Sequence, residues 1–183
     1  MSDISKIQIE NNILNIKDLI ARNYFNLQNA KMIFLGDSYA TGQDSASNQT
    51  IDYVTLISQY LNKPLNTDIF KSAVNGAGFT VGSTFLSQLQ SLNIGNKDEI
   101  THIIVAGGYN DRLQSSSSIV NAINNFVSYV KSNFPNAQIF IAHIGWSSIY
   151  TNCYNVINNS LKGYFEGASR NGVIFIKNCV FFA

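Results

Sequence analysis

The sequence has little cysteine and little charge. Only two cysteines occur in 183 residues. Cys153 and Cys179 lack the spacing of metal ligands, so we expect free thiols in a reducing cytoplasm. Charged residues make up 13%, with 12 Lys and Arg against 11 Asp and Glu. The resulting net charge of +1 gives no sign of a basic surface that would bind nucleic acid or an anionic membrane. Two cysteines are also too few for a disulfide scaffold.

Long hydrophobic runs are also missing. No apolar run approaches the roughly 20 residues that span a bilayer. The opening residues, MSDISKIQIENN, do not follow the basic-then-apolar order of a secretory signal. We therefore expect a cytoplasmic protein without a membrane span.

The content of hydrophobic and aromatic residues is typical of a folded, globular chain. Hydrophobic residues reach 45% and aromatic residues 12%, which is typical of a protein with a sizeable core. The length predicts one domain over residues 1–183. Mostly helical spacing of apolar residues over 4–27 predicts an N-terminal helical extension, residues 1–29.

Short apolar runs alternate with stretches of helical spacing along the rest of the chain. The runs predict five strands, over residues 31–35, 68–74, 100–106, 137–144 and 172–177. The helical spacing predicts helices between them, over residues 51–61, 83–92, 117–133 and 153–168, with the serines at 115–118 as a loop and N-cap. This alternation predicts an α/β fold with a five-stranded parallel sheet that is covered on both faces.

Glycine and polar residues follow three of the predicted strands. The segments are Gly36-Asp37-Ser38, Asn75-Gly76-Ala77-Gly78 and Gly108-Tyr109-Asn110-Asp111. The carboxyl ends of parallel strands meet at one edge of a sheet, where such folds bind ligands. We therefore expect the three segments to form one site.

Ser38 is the candidate nucleophile of that site. A serine between a buried strand and a helix presents its hydroxyl at the sheet edge, where it can attack a carbonyl carbon. The Ser38 N–H, the Gly76 N–H and the Asn110 side-chain amide are candidate donors to the oxyanion that then forms. The structural alternatives are an N-cap role for Ser38 and a turn role for Asn110.

The three segments resemble the sequence blocks of the SGNH, or GDSL-type, serine hydrolase family. Gly36-Asp37-Ser38-Tyr39 is similar to the first block, Asn75 to Gly78 to the second, and Gly108-Tyr109-Asn110-Asp111 to the third, Gly-x-Asn-Asp. The similarity spans residues 31–178. It implies a three-layer flavodoxin-like sandwich and serine esterase or acylhydrolase activity without a metal or cofactor.

The resemblance also implies roles for single residues. Ser38 is the nucleophile, and the oxyanion donors are the Ser38 N–H, the Gly76 N–H and the Asn110 side chain. Gly78 is an alternative to Gly76, because the two glycines leave the register of the second block open. Independently of the resemblance, we expect Asp37 to tie down its turn with its carboxylate and Asp111 to anchor its loop.

One block of the family is missing. The family takes its base and acid from an Asp-x-x-His block, which this sequence does not contain. Of its two histidines, His102 begins a predicted strand at the edge opposite Ser38. His143 ends a predicted strand at the correct edge, but within an apolar run that favours a satisfied core histidine. We expect the catalytic loop and helix to lie beyond Ala183, and this form to be weakly active or inactive, because triad members act as a unit.

The expected function is hydrolysis of a small acyl or acetyl ester, with a small molecule or a carbohydrate as the substrate. The alternative is a non-catalytic domain that binds acyl groups or glycans on the same fold. A third interpretation takes Gly76-x-Gly78-x-x-x-Gly82 as a dinucleotide-binding turn, although its spacing departs from the usual motif and the expected acid is missing. Trp146 is either a packing residue or a wall of the cleft.

Overall fold

The computed structural model describes residues 29–42, 51–143 and 154–177. The chain divides between Ala30 and Lys31, and the sheet with its helices belongs to the unit that begins at Lys31. The predicted features outside the described residues are the N-terminal helix over 4–27, Trp146, Cys153 and Cys179.

Five parallel strands form one sheet. They are β1 (Met32–Gly36), β2 (Ile69–Ala73), β3 (His102–Gly107), β4 (Gln138–His143) and β5 (Ile174–Lys177). The strand order is β2-β1-β3-β4-β5, and every neighbouring pair is parallel. This is the order of flavodoxin-like folds. The predicted α/β fold is confirmed, and each strand begins and ends within two residues of its predicted bounds.

Helices connect the strands. They are α1 (Ser38–Thr41), α2 (Tyr53–Leu61), α3 (Phe85–Ser91), α4 (Ser116–Asn133) and α5 (Tyr154–Arg170), with 3₁₀ turns at Lys97–Glu99 and Asn110–Leu113. The N-cap of α4 is Ser115, as predicted, because its hydroxyl accepts the Ser118 N–H at 3.1 Å. None of the helices in the described ranges has both the length and the apolar composition to cross a membrane.

The sheet buries side chains on both faces, which gives three layers. One face packs against α3, α4 and α5, and the fully buried strand residues there are Ile33, Leu35, Ile103, Val105 and Ile141. On the other face, Ala106 and Ala142 contact Tyr39 and Tyr53. Each large aliphatic side chain buried in this way contributes about 1.5–3 kcal/mol. The core therefore fixes the strands whose ends carry the polar segments.

The register aligns those strand ends. Gly36, the last residue of β1, lies opposite Ala73 of β2 and Ala106 of β3. Gly107 of β3 lies opposite His143 of β4. The polar segments after β1, β2 and β3 therefore begin at the same edge of the sheet, as the sequence predicts.

Candidate active site

Ser38 is the first residue of α1, and Asp37, the N-cap of this helix, separates it from the end of β1. The turn is closed by Asp37, whose Oδ1 accepts the Tyr39 N–H at 3.1 Å and whose carbonyl oxygen accepts the Ala40 N–H at 3.0 Å. Ser38 is half-buried. Within the described part of the chain, neither its hydroxyl nor its backbone N–H makes a hydrogen bond. Both groups are therefore available to a ligand at the sheet edge.

Gly76 lies in the turn that follows β2. The turn is closed by the Ala77 N–H, which donates to the Val74 carbonyl oxygen at 3.1 Å. It is joined to α1 because Thr41 Oγ1 lies 2.9 Å from Asn75 Oδ1. Gly76 is exposed, and no acceptor among the described residues takes its N–H. Its role as an oxyanion donor stays a prediction.

Gly78 differs from Gly76 in both exposure and bonding. It is buried, and its N–H donates to the Val81 carbonyl oxygen at 3.1 Å. A Cβ atom at this position would lie 2.5 Å from Oδ1 of Asp111, so the close approach of that carboxylate requires glycine. The Gly78 N–H is therefore not open to a ligand, whereas the Gly76 N–H is.

The Asn110 side chain links the segments that follow β1, β2 and β3. Its Nδ2 donates to the Ala77 carbonyl oxygen at 2.8 Å and to Asp37 Oδ2 at 3.3 Å. An amide nitrogen carries two hydrogens, so both of its donors point to acceptors of the protein. Asn110 can serve an oxyanion only when one of these acceptors releases it, and its predicted role stays a prediction.

Asp111 holds the segment after β2 in place. It is fully buried and accepts hydrogen bonds from the Phe79 N–H at 2.8 Å, the Thr80 N–H at 3.0 Å and Thr80 Oγ1 at 2.6 Å. The fourth donor is Tyr164 Oη, at 2.7 Å. Four donors compensate for the burial of the carboxylate. Asp111 thus has the expected anchoring role, but the loop that it anchors is the one after β2 and not only its own.

Tyr164 and Ser160, both on α5, are site residues that the sequence prediction missed. Burial raises the pKa of Tyr164 well above its ordinary value, and the nearby Asp111 carboxylate raises it further. Ser160 is also fully buried, and its hydroxyl donates to the Gly108 carbonyl oxygen at 2.7 Å. The sequence does contain a signal that could have identified them. Residues 160, 164 and 168 are spaced by four, which places them on one face of a helix, and all three are buried.

Asp37 is buried with 1% of its surface exposed. The pKa of Asp37 is raised to about 6, chiefly because the carboxyl is buried and to a smaller extent because the charge of Asp111 lies nearby. Backbone N–H donors, from Tyr39 and from Asp37 itself, oppose this shift. The carboxyl therefore changes charge within an accessible range of pH.

His143 is the last residue of β4 and is 1% exposed. Its Nε2 lies 3.4 Å from Ser160 Oγ, and its ring meets that of Tyr164 edge-on with centroids 5.2 Å apart. Burial lowers the pKa of His143 to about 4. The prediction that His143 is buried is confirmed. The prediction that its ring nitrogens are satisfied by hydrogen bonds is wrong, because Nδ1 has no partner among the described residues. No hydrogen bond joins His143 to Ser38 in the described structure.

His102 lies where the sequence places it, at the start of β3 and at the edge opposite Ser38. Its Nδ1 is 2.7 Å from Thr101 Oγ1, and its ring stacks on that of Phe140 with centroids 5.8 Å apart. These contacts give His102 a structural role.

The surroundings of Gly78 argue against the dinucleotide interpretation. The Asp111 carboxylate lies against Gly78, where a pyrophosphate would require backbone donors and no negative charge. Over residues 29–42, 51–143 and 154–177, no group of three or more His, Cys, Asp and Glu side chains is arranged to hold a metal ion.

Comparison with known proteins relates this fold to ester hydrolases. No family model matches the chain, and no curated protein matches it significantly. Among solved structures, a Lactobacillus plantarum protein is 14% identical over 81% of this chain and 76% of its own, with a TM-score of 0.64. A GDSL-like lipase from Parabacteroides merdae is 16% identical over 80% of this chain and 76% of its own, with a TM-score of 0.57.

A third solved structure is a family two carbohydrate esterase from Clostridium thermocellum, in complex with cellohexaose. It is 19% identical over 81% of this chain, with a TM-score of 0.56, and the match covers 53% of the esterase. Identities this low establish likeness of fold alone. The chain therefore shares its α/β fold with this esterase and with the lipase.

Proposed function

We propose that this protein is an SGNH-type ester hydrolase that acts on a small acyl or acetyl ester, carried by a small molecule or a carbohydrate. One observation carries the proposal: the Ser38 hydroxyl, the Ser38 N–H and the Gly76 N–H all lack partners among the described residues at one edge of the sheet. Unpartnered donors beside a hydroxyl suit acyl transfer. The esterases and the lipase of similar fold support this reaction class.

The reaction proceeds through an acyl-enzyme. Ser38 Oγ loses its proton to a base and bonds to the ester carbonyl carbon, whose oxygen becomes the oxyanion. The Ser38 and Gly76 N–H groups donate to that oxyanion. Collapse breaks the ester bond, and the alcohol leaves with a proton. Water then attacks the acyl group and frees Ser38.

No described residue is placed to act as the base that takes the proton from Ser38. The sequence contains two histidines, and neither hydrogen-bonds to Ser38 in the described structure. An oxyanion site without its triad retains a residual rate enhancement of about 10³–10⁴-fold. We therefore propose weak intrinsic activity for this chain in the absence of an added base.

Labelling with a fluorophosphonate probe tests the nucleophile. The wild-type protein is expected to be labelled at Ser38, as located by peptide mass spectrometry. Ser38→Ala should lose the label, and Ser117→Ala, which changes an exposed serine of α4, should keep it. Absence of labelling in the wild type at every pH, with imidazole added as the base, would reject Ser38 as a nucleophile.

Hydrolysis of p-nitrophenyl acetate with added imidazole tests the missing base. Imidazole is expected to raise the rate of the wild-type protein above that of Ser38→Ala, which measures the background of imidazole alone. Equal rates in the two proteins would contradict the proposed hydrolysis.

A non-catalytic domain that binds acyl groups or glycans is the second candidate. It is favoured by the contacts of His143, whose Nε2 faces Ser160 rather than Ser38. This function predicts saturable binding of an acylated sugar in calorimetry, together with no Ser38-dependent turnover even when imidazole is present.

A further inference from the structure

Asn110 and Asp37 share a contact that bears directly on the oxyanion site. The bond from Asn110 Nδ2 to the Ala77 carbonyl oxygen is short, at 2.8 Å, whereas the one to Asp37 Oδ2 is long, at 3.3 Å. The longer bond is the weaker one geometrically. The hydrogen that points to Asp37 is therefore the one that an oxyanion could recruit.

We propose that Asp37 is a positioning residue: its charged carboxylate retains one Asn110 N–H, and its neutral form releases that N–H to the oxyanion. This inference rests on the proposed function, because it concerns the same site. Asp37 acts through Asn110 and through the local charge, and it does not take part in bond making.

The surroundings of Asp37 favour such control. Its own segment contributes two backbone donors, from Asp37 and Tyr39. The segment after β3 contributes Asn110 and the charge of Asp111, and α5 contributes the neutral phenol of Tyr164. No cation among the described residues forms an ion pair with Asp37. Its charge is therefore poorly compensated, which is consistent with a pKa of about 6.

The two charge states differ in their effect on the site. The ionised carboxylate competes with an oxyanion for the Asn110 N–H and places a second buried negative charge beside it, which raises the barrier to attack. The protonated carboxyl carries no charge, and its oxygens are weaker acceptors, so it competes much less for that N–H. Oxyanion stabilisation should therefore be strongest when Asp37 is neutral.

Nuclear magnetic resonance of the Asn110 side-chain amide tests the contact without reference to catalysis. In the wild-type protein, the Asn110 Nδ2 and Hδ2 resonances should shift with pH around a midpoint near 6. Asp37→Asn should abolish that shift, and Asp98→Asn, which changes an exposed residue, should keep it. Resonances that do not move between pH 4 and 8 in the wild type, or that still move in Asp37→Asn, would overturn the proposal.

The rate of fluorophosphonate labelling tests the consequence for the site. The ratio of Asp37→Asn to wild-type rates cancels the shared pH dependence of Ser38. It should be near unity at pH 4.5 and should rise to about tenfold at pH 8, less than the roughly 10²–10³-fold effect of removing an oxyanion donor outright, because Asp37 only competes for one N–H.

The Asn110→Ala background isolates the positioning role. There, Asp37→Asn should change the rate less at pH 8, because the buried charge is still removed but no amide is left to release. An equal effect in both backgrounds would contradict the role of Asn110. If Ser38 is never labelled while the Asn110 resonances titrate as expected, the proposed function fails and the contact between Asp37 and Asn110 stands.

Discussion

The carboxylate of Asp111 occupies the space that a side chain at residue 78 would fill. A Cβ atom on Gly78 would lie 2.5 Å from Asp111 Oδ1 and 2.6 Å from Oδ2. The carboxylate cannot move away cheaply, because two backbone N–H groups, Thr80 Oγ1 and Tyr164 Oη all donate to it. The glycine of the second segment and the aspartate of the third thus form one structural unit.

Gly78→Ala should therefore destabilise the protein by about 1–3 kcal/mol, the usual cost of forcing extra atoms into a packed site. Urea denaturation, followed by circular dichroism, measures the change in unfolding free energy. Gly95→Ala is the matched control, because a Cβ there meets nothing within 4 Å. Equal stability of the two variants would contradict the steric argument.

Tyr164→Phe tests the buried hydrogen bond to Asp111. The substitution removes the 2.7 Å bond and leaves a buried carboxylate oxygen with one donor fewer. The expected loss is about 1–3 kcal/mol. Tyr60→Phe, at a side chain that is 89% exposed, should leave the unfolding free energy unchanged. A loss below about 0.5 kcal/mol for Tyr164→Phe would mean that the other three donors suffice.

The sequence predicts the sheet and the three segments because both depend on local patterns. Apolar runs separated by helical spacing determine the parallel strands, and the ends of such strands must meet at one edge. The partners of individual side chains have no comparable local signal. Tyr164 and Asp111 are 53 positions apart in the chain. Likewise, nothing around Asn110 in the sequence indicates that both of its amide hydrogens are already bound.

His143 should make the protein less stable in acid. Its pKa is about 4 in the folded state against an ordinary value of 6.5. The unfolded chain therefore takes up a proton first as the pH falls. The stability that His143 contributes is complete above pH 6.5 and is lost progressively toward pH 4, by about 3 kcal/mol.

The His143 contribution is measured as the difference in unfolding free energy between the wild type and His143→Gln. That difference should grow as the pH rises from 4 to 6.5. His143→Phe, a neutral replacement of another size, should give the same slope whatever its absolute stability. A difference that does not vary with pH would show that His143 titrates normally.

Asp37 should have the opposite effect on the pH dependence of stability, making the protein less stable as the pH rises. Its pKa is about 6 in the folded state, above the ordinary value of 3.8, so the folded protein binds this proton more tightly than the unfolded chain does. The stability that Asp37 contributes is therefore complete below pH 3.8 and is lost as the pH rises through 6. At pH 8 the buried charge costs about 3 kcal/mol.

Asp37→Asn removes that charge and keeps an N-cap oxygen for the Tyr39 N–H. The variant should therefore be more stable than the wild type by about 1–3 kcal/mol at pH 8, with the gap closing toward pH 4. The expected gain is below the full cost of the charge because an asparagine Nδ2 would face the Nδ2 of Asn110, donor to donor. Chemical denaturation at pH 4, 6 and 8 measures the gap. The opposite result, in which Asp37→Asn loses stability relative to the wild type as the pH rises from 4 to 8, would contradict this prediction. It would mean that hydrogen-bond donors stabilise the Asp37 carboxylate by more than burial destabilises it.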